Sequence, residues 1–416
     1  MGSTDNAYRG TGAKTVCLTG TFHSANRGDA SIQLAAVLEI RRRWPDARIV
    51  LMSSHPDDDA PVYPGIEVAR TWRRVPGRAV AQVMNAALGR READAELALV
   101  SSATVVADLS GDGFTASFGW RCAAAHSIPV LLARLLDTPC VMLGQTIGPL
   151  PSPRPYYQWL LSGVSGIAVR DGESLRELEQ LGIPREKVSL TADLAFLLPS
   201  ADAEELAAAC PWAEEFMAGG PVIGVTPSNL NNVRTGTGRA RALDALAAAA
   251  ARLAELSHGR VLVLPTVFGP GEAYDDRNAA RALAARLGGG PAVRVVEETP
   301  GPRETKALIG HCAAYAGIRM HGLIAALSQA VPCIGLGYAA KSANLFRRAG
   351  VARFHLDPQN SGTSDAAGAA DALWRDRETV RAQITEAVAS DLVPAAGRNL
   401  ALLEPFLGPP RAAASS

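Results

Sequence analysis

The chain has 416 residues, 48% of them apolar and 20% charged, and its formal net charge is zero. That length exceeds one ordinary core and calls for two domains of roughly 200 residues each. The balanced charge argues against strong electrostatic steering toward nucleic acid or a membrane, and no apolar run reaches the roughly 18 residues of a transmembrane helix.

Met1–Lys14 is polar and Gly-rich and has no apolar signal core, so a cytoplasmic location is expected. Short apolar runs then alternate with helical patterns. Thr15–Thr19 reads as a strand, Asp29–Arg43 as a helix, and Ala47–Met52 as a second strand; Glu96–Asp108 contains a third. Cys140–Gly144 and Gly166–Val169 read as buried strands, Ser174–Leu181 as a helix, and Val188–Leu190 as an edge strand. The acidic, Ala-rich stretch from Pro199 to Pro221 breaks the rhythm and is read as inter-domain.

The alternation then restarts. Val222–Thr226, Arg260–Leu264, Val293–Val296, Ala314–Ile318 and Cys333–Leu336 read as strands. Ala240–Leu256, Asp275–Leu287, Glu304–Cys312, Gly322–Ser328, Lys341–Arg348 and Asp365–Ala389 read as helices. The expected organisation is a first Rossmann-like domain over 1–200, a linker over 201–220 and a second Rossmann-like domain over 221–395. A C-terminal helix and tail over 396–416 would return to the first domain. This α/β class with two mainly parallel sheets places a cleft between domains, with ligands beyond the strands' carboxyl ends.

The loops that follow the strands carry the chemistry. Gly28 permits a sharp turn, Asp29 can cap the next helix, and Asn26 faces the cleft; an ordinary capped turn uses the same residues. Asp108-Leu-Ser110-Gly-Asp112-Gly packs two carboxylates and a hydroxyl into a few positions, suited to sugar hydroxyls or to acid/base work, or to a tight polar turn. Gly144-Gln145-Thr146-Ile-Gly148-Pro149 is another small, polar strand end. Arg170 follows a buried strand and can grip a carboxylate or phosphate bidentately. Asp275 and Asp276 read as caps. Thr226-Pro-Ser228-Asn229 and Thr266 with Gly269-Pro-Gly271 could contact a ligand or make plain turns.

The strongest pattern is Gly317-Ile-Arg319-Met-His321-Gly322. Arg319 and His321 lie two apart after a strand, and Gly322 leads into a helix whose N-terminal N–H groups can bind an anion. Lys341 follows the next strand. Only Lys14, Lys187, Lys306 and Lys341 are lysines; Arg dominance reads as coding bias. The six cysteines are scattered with no Cys/His cluster, so no metal is expected.

Together these blocks resemble the polysaccharide pyruvyl transferase family. The matching pieces are Asn26-Arg-Gly28-Asp29, Gly144 to Pro149, Val169-Arg170-Asp171, and Gly317 to Gly322 through Pro332 and Tyr338 to Lys341. The resemblance implies a GT-B-like fold, phosphoenolpyruvate as co-substrate without further cofactor, and a sugar or glycan acceptor, nucleotide- or lipid-linked. It implies a pyruvate ketal product in bacterial cell-envelope polysaccharide biosynthesis, with enzyme in the cytoplasm or peripheral to the inner membrane face. Arg170 and Arg319 would hold the donor, with Gly322 and Lys341, and His321 would be the acid/base. Asn26, Asp29, Asp108, Ser110, Asp112 and Gln145 are the expected acceptor contacts. One departure is Pro265-Thr266, where many relatives carry a His after the Pro. The alternative reading is a GT-B glycosyltransferase or nucleotide-sugar epimerase.

Overall fold

The computed structural model describes residues 13–20, 23–229, 236–337 and 340–411. Tyr338, residues 1–12 and the last residues of the tail, 412–416, lie outside them. The chain divides into two compact units. The first comprises Met1–Ser24, Ile32–Leu194 and Ala395–Ser416; the second comprises Ala25–Ser31 and Ala195–Pro394.

Among the described residues, the first unit holds seven parallel strands: β1 Thr15–Thr19, β2 Arg48–Ser53, β3 Glu67–Arg70, β4 Val105–Asp108, β5 Cys140–Gln145, β6 Gly166–Val169 and β7 Val188–Leu190. Their spatial order is β3-β2-β1-β4-β5-β6-β7. The second unit holds β8 Val222–Thr226, β9 Arg260–Val263, β10 Val293–Val295, β11 Ala314–Gly317, β12 Cys333–Leu336 and β13 His355–Leu356, in the order β10-β9-β8-β11-β12-β13. Both units are therefore Rossmann-like. Central strands such as Thr-Val-Cys-Leu-Thr and Val-Ile-Gly-Val-Thr are buried along their whole length, as parallel strands covered on both faces must be.

In each sheet the strand order reverses between two neighbours: β1 beside β4, and β8 beside β11. Ligand crevices open beyond the carboxyl ends of such pairs. In the first unit Thr19 pairs with Asp108 at that end, and in the second Thr226 pairs with Gly317. The sequence blocks Asp108–Asp112 and Arg319–Gly322 thus each leave their sheet at a switch point.

Several expectations change. The segment 201–220 is not a linker. It forms helices Ala203–Ala209 and Ala213–Ala218 in the second unit, the first closed by an Asp202–Glu205 capping box. Asp365–Ala389 is two helices, Thr363–Arg375 and Arg377–Ala387, broken at Asp376. Asp29 is not the cap of its helix, which begins at Arg27; the Asn26 side chain accepts from the Gly28 N–H at 3.0 Å. Asn26 and Asp29 also do not belong with the first unit. Asn26 forms an antiparallel bridge with Val267, the Arg27 N–H donates to the Thr266 carbonyl at 2.9 Å, and the Phe268 N–H donates to the Ala25 carbonyl at 2.9 Å. No helix among the described residues is long and apolar enough to cross a membrane.

Candidate functional site

His321 sits in the first turn of the helix Met320–Ser328, directly beyond β11. The Ile318 N–H donates to the Thr226 carbonyl at 3.0 Å and extends the β8–β11 pairing by one step, so the chain turns into the helix at a fixed point. Arg319 is the residue at that turn. Its Nε and Nη2 donate to the two oxygens of Asp276 at 3.0 and 2.7 Å, and Asp276 is fully buried. The Asn229 N–H donates to the same carboxylate at 2.7 Å. Asp276, read as a helix cap, instead holds the Arg319 fork and fixes the backbone that presents His321. Gly322 packs against a buried hydroxyl pair: a Cβ there would lie 2.2 Å from the Tyr315 hydroxyl, which itself donates to Thr226 at 2.5 Å.

The imidazole lies against the start of the helix Arg27–Arg43. A Cβ at Gly28 would fall 2.2 Å from His321 Nδ1 and 2.7 Å from its Cγ. Gly28 is therefore required by the close approach of the ring and not by a left-handed turn. This contact joins two sequence blocks almost three hundred residues apart.

A pocket opens here, lined among others by Arg27, Gly28, Thr305, Lys306, His321 and Gly322. Arg27 is held by the Pro300 and Thr299 carbonyls, at 2.6 Å to Nε and 2.9 Å to Nη2, and its guanidinium lies 5.0 Å from the centre of the Phe268 ring. Lys306 is 5% exposed, and its Nζ donates to the Leu198 carbonyl at 2.5 Å. No carboxylate among the described residues lies within ion-pair distance of it, and burial lowers its pKa to about 8. The Thr305 hydroxyl is buried without a hydrogen-bond partner. The Lys306 ammonium with N–H groups to spare, the unpartnered Thr305 hydroxyl and Arg27 thus put positive charge and hydrogen-bonding capacity on the same wall as the His321 imidazole. Apolar side chains of Leu198, Ile309 and Ile324 complete the wall.

Sequence reasoning did not assign Arg27, Thr305 or Lys306 to the site. The rarity of lysine in an Arg-rich chain was the available signal for Lys306. Thr266, the residue at the departure from the relatives' His, lines this same pocket. Lys341 stands half-buried in the first turn of the helix Ala340–Arg348, beyond β12.

In the first unit the predicted residues form a separate, inward-looking network. Asp108 is fully buried and accepts from the Ser110 N–H at 3.1 Å, the Ser110 hydroxyl and Gln145 Nε2 at 3.2 Å. Its second oxygen, Oδ2, has no partner. Burial pushes its pKa up to about 6, against the opposing pull of these hydrogen bonds. The Ser110 hydroxyl shares its one hydrogen between Asp108 and Gln145 Oε1, the latter at 2.9 Å. Asp108, Ser110 and Gln145 thus spend most of their polar groups on one another; Asp112 is half-buried. Arg170 is buried in an ion pair with Asp193, and its Nε donates to the Thr146 hydroxyl at 2.8 Å. Burial opposes the Arg170 charge, but Asp193, with Asp112 and Asp171, outweighs it and raises its pKa. Among the described residues no group of three metal-binding side chains gathers.

Comparison with known proteins places this geometry in context. A family model described as polysaccharide pyruvyl transferase matches residues 26–339. The amylovoran biosynthesis protein AmsJ of Erwinia amylovora is 24% identical over 272 residues, 64% of this chain. The match spans 65% of that relative's length. Among solved structures, MnaA of S. aureus in its UDP co-structure superposes with a TM-score of 0.62 at 12% identity, covering 95% of this chain and 97% of that one. HepE of Anabaena with UDP-glucose gives 0.57 at 13%, covering 94% and 99%. The UDP-GlcNAc 2-epimerase of Neisseria meningitidis bound to UDP-GlcNAc gives 0.58 at 13%, covering 95% and 99%. At such identities these structures share the GT-B-like fold.

Proposed function

Because the chain belongs to the polysaccharide pyruvyl transferase family, we propose that it transfers the enolpyruvyl group of phosphoenolpyruvate to two hydroxyls of a sugar, forming a pyruvate ketal and releasing phosphate. The observation that carries this reading is the pocket in which Lys306 and Thr305 stand buried beside His321. Phosphoenolpyruvate is a small enol phosphate ester that carries up to three negative charges, on a phosphate and a carboxylate, and a short apolar methylene. Lys306 and Arg27 supply positive charge, Thr305 a hydroxyl, and the aliphatic wall accepts the methylene.

The chemistry starts with a proton. His321, as imidazolium, protonates the methylene carbon while a first sugar hydroxyl adds to the neighbouring carbon and gives its proton to a base. The product is a tetrahedral ketal phosphate. The C–O bond to phosphate then breaks, neighbouring cations stabilise the leaving dianion, and the second hydroxyl closes the ring with loss of its proton. The sum is one phosphoenolpyruvate and one diol giving one ketal and one phosphate.

Arg319 acts as a positioning residue in this scheme, since Asp276 occupies its bidentate edge. Arg170 and Lys341 remain proposed donor contacts from the resemblance, and Asp112 a proposed acceptor contact. The acceptor is a sugar or glycan on a nucleotide or lipid carrier; the relative's role in amylovoran biosynthesis supports a polysaccharide precursor. Thermal stabilisation tests the donor: phosphoenolpyruvate should raise the melting temperature and UDP-glucose should not. The opposite result favours a nucleotide-sugar enzyme.

A further inference from the structure

The helix Pro76–Ala87 packs the wrong way round for a globular domain. Its fully buried residues are the small Ala79 and Ala86 together with Gln82, which donates to Glu96 Oε2 at 2.7 Å, and half-buried Val83 packs against the core beside them. Three of its other large apolar residues point outward. Val80, Met84 and, at the helix end, Leu88 are 59%, 60% and 64% exposed, and their spacing of four places them on one face. A helix that served only its own core would reverse this pattern.

The charge along the helix and its flanks is mainly positive. Between Thr71 and Arg91 the sequence contains five arginines and no acidic residue. Arg73 is buried, but Arg74, Arg78, Arg90 and Arg91 are exposed at the two ends of the helix. Trp72 stands at the first end with the Arg78 guanidinium 4.6 Å from its ring centre. The neighbouring helix Trp120–Leu135 packs on this one and starts with Trp120, 64% exposed, followed by exposed Arg121; Phe118 just before it is 57% exposed.

From this geometry we infer that the helix Pro76–Ala87 and its arginines form a docking surface for an anionic lipid bilayer. The stripe would enter the acyl boundary while the arginines meet lipid phosphates. Charge complementarity selects this occupant: an outward apolar face flanked mainly by arginines, with Glu92 and the Arg91 partner Asp137 confined to its far end, matches a surface that is apolar beneath and negative above. This inference is independent of the donor chemistry. It specifies a lipid-linked acceptor route only if both hold.

The test is sedimentation of the full chain with vesicles. Vesicles containing phosphatidylglycerol should bind it, and pure phosphatidylcholine vesicles should bind it at least about tenfold more weakly. The triple variant Val80→Ser, Met84→Ser, Leu88→Ser should lose binding to the anionic vesicles by about tenfold or more, with its melting temperature unchanged because all three side chains are exposed. Arg78→Gln with Arg90→Gln should weaken binding and flatten its dependence on salt. Binding that is absent, indifferent to lipid charge or unchanged in the triple variant overturns the inference. So does a stripe-dependent dimer in solution that ignores vesicles, or capture of RNA in their place.

Discussion

Lys306→Met isolates the cost of keeping a cation in the pocket. The folded protein lowers the pKa of this lysine from 10.5 to about 8 by burial alone. The unfolded chain holds its proton up to the higher value. Between the two the unfolded chain binds more protons, so stability climbs with pH across that window. Below it the buried ammonium destabilises the fold by about 3 kcal/mol. Methionine fills similar space without charge, but forfeits the bond to the Leu198 carbonyl, worth about 1 kcal/mol. The net gain at pH 7 is about 2 kcal/mol, or a melting temperature about 4–8 °C higher for a unit of this size. Scanning calorimetry of both proteins at pH 7 and pH 10.5 reads it directly. The variant should be the more stable at pH 7 and lose its advantage at the higher pH. A variant that melts with or below wild type at pH 7 would refute the reasoning, because the lysine would then be compensated within the fold. Phosphoenolpyruvate should stabilise wild type at pH 7 and leave the variant unmoved.

Three other substitutions probe the same arrangement. Gly28→Ala drives a methyl against His321, and the ring must retreat by about 1 Å, which at a catalytic group lowers turnover about a hundredfold; a melting temperature near wild type with normal turnover, measured by product mass, would count against the contact. Asp276→Ala strips Arg319 of its buried partner and should lower stability by about 2–3 kcal/mol in urea unfolding, with no change expected only if the fork is dispensable. Asp108→Asn addresses the raised carboxyl: its folded pKa of about 6 lies above the ordinary 3.8, so its contribution to stability is full at low pH and lost as pH rises through 6. The Asn variant should match wild type near pH 4 and exceed it at pH 8, and parallel melting curves across that range would disprove the buried-charge account.

The parts of the fold legible in sequence were those written in unbroken apolar runs. Gly166–Val169, Val222–Thr226 and Cys333–Leu336 are strands over the residues expected. β3 was hidden because Glu-Val-Ala-Arg at a sheet edge is half-buried and carries no such run. The helix Trp120–Leu135 was hidden by Pro129 inside it and by aromatic and charged residues at its start. At the site, Arg319 and His321 were visible because a strand end and a helix start fix them locally. Lys306 was not, since its meaning depends on a carbonyl at Leu198 and on an imidazole beyond β11, both remote in sequence. Asn26 and Gly28 were visible as a turn, but their membership of the second unit rests on pairing with Thr266–Phe268. That pairing leaves no periodic trace. Arg170 was correctly placed at the end of a buried strand, yet its partner Asp193 arises from tertiary packing.

The central claim is pyruvyl transfer from phosphoenolpyruvate at His321. Mass spectrometry of a panel of nucleotide-linked and lipid-linked glycans incubated with phosphoenolpyruvate and the full chain tests it most directly. The account predicts one acceptor that gains a pyruvate ketal with one phosphate released per ketal formed, and no such product from His321→Ala of normal fold. Glycosyl transfer or epimerisation of a UDP-sugar with phosphoenolpyruvate inert, or full ketal formation by His321→Ala, would contradict it.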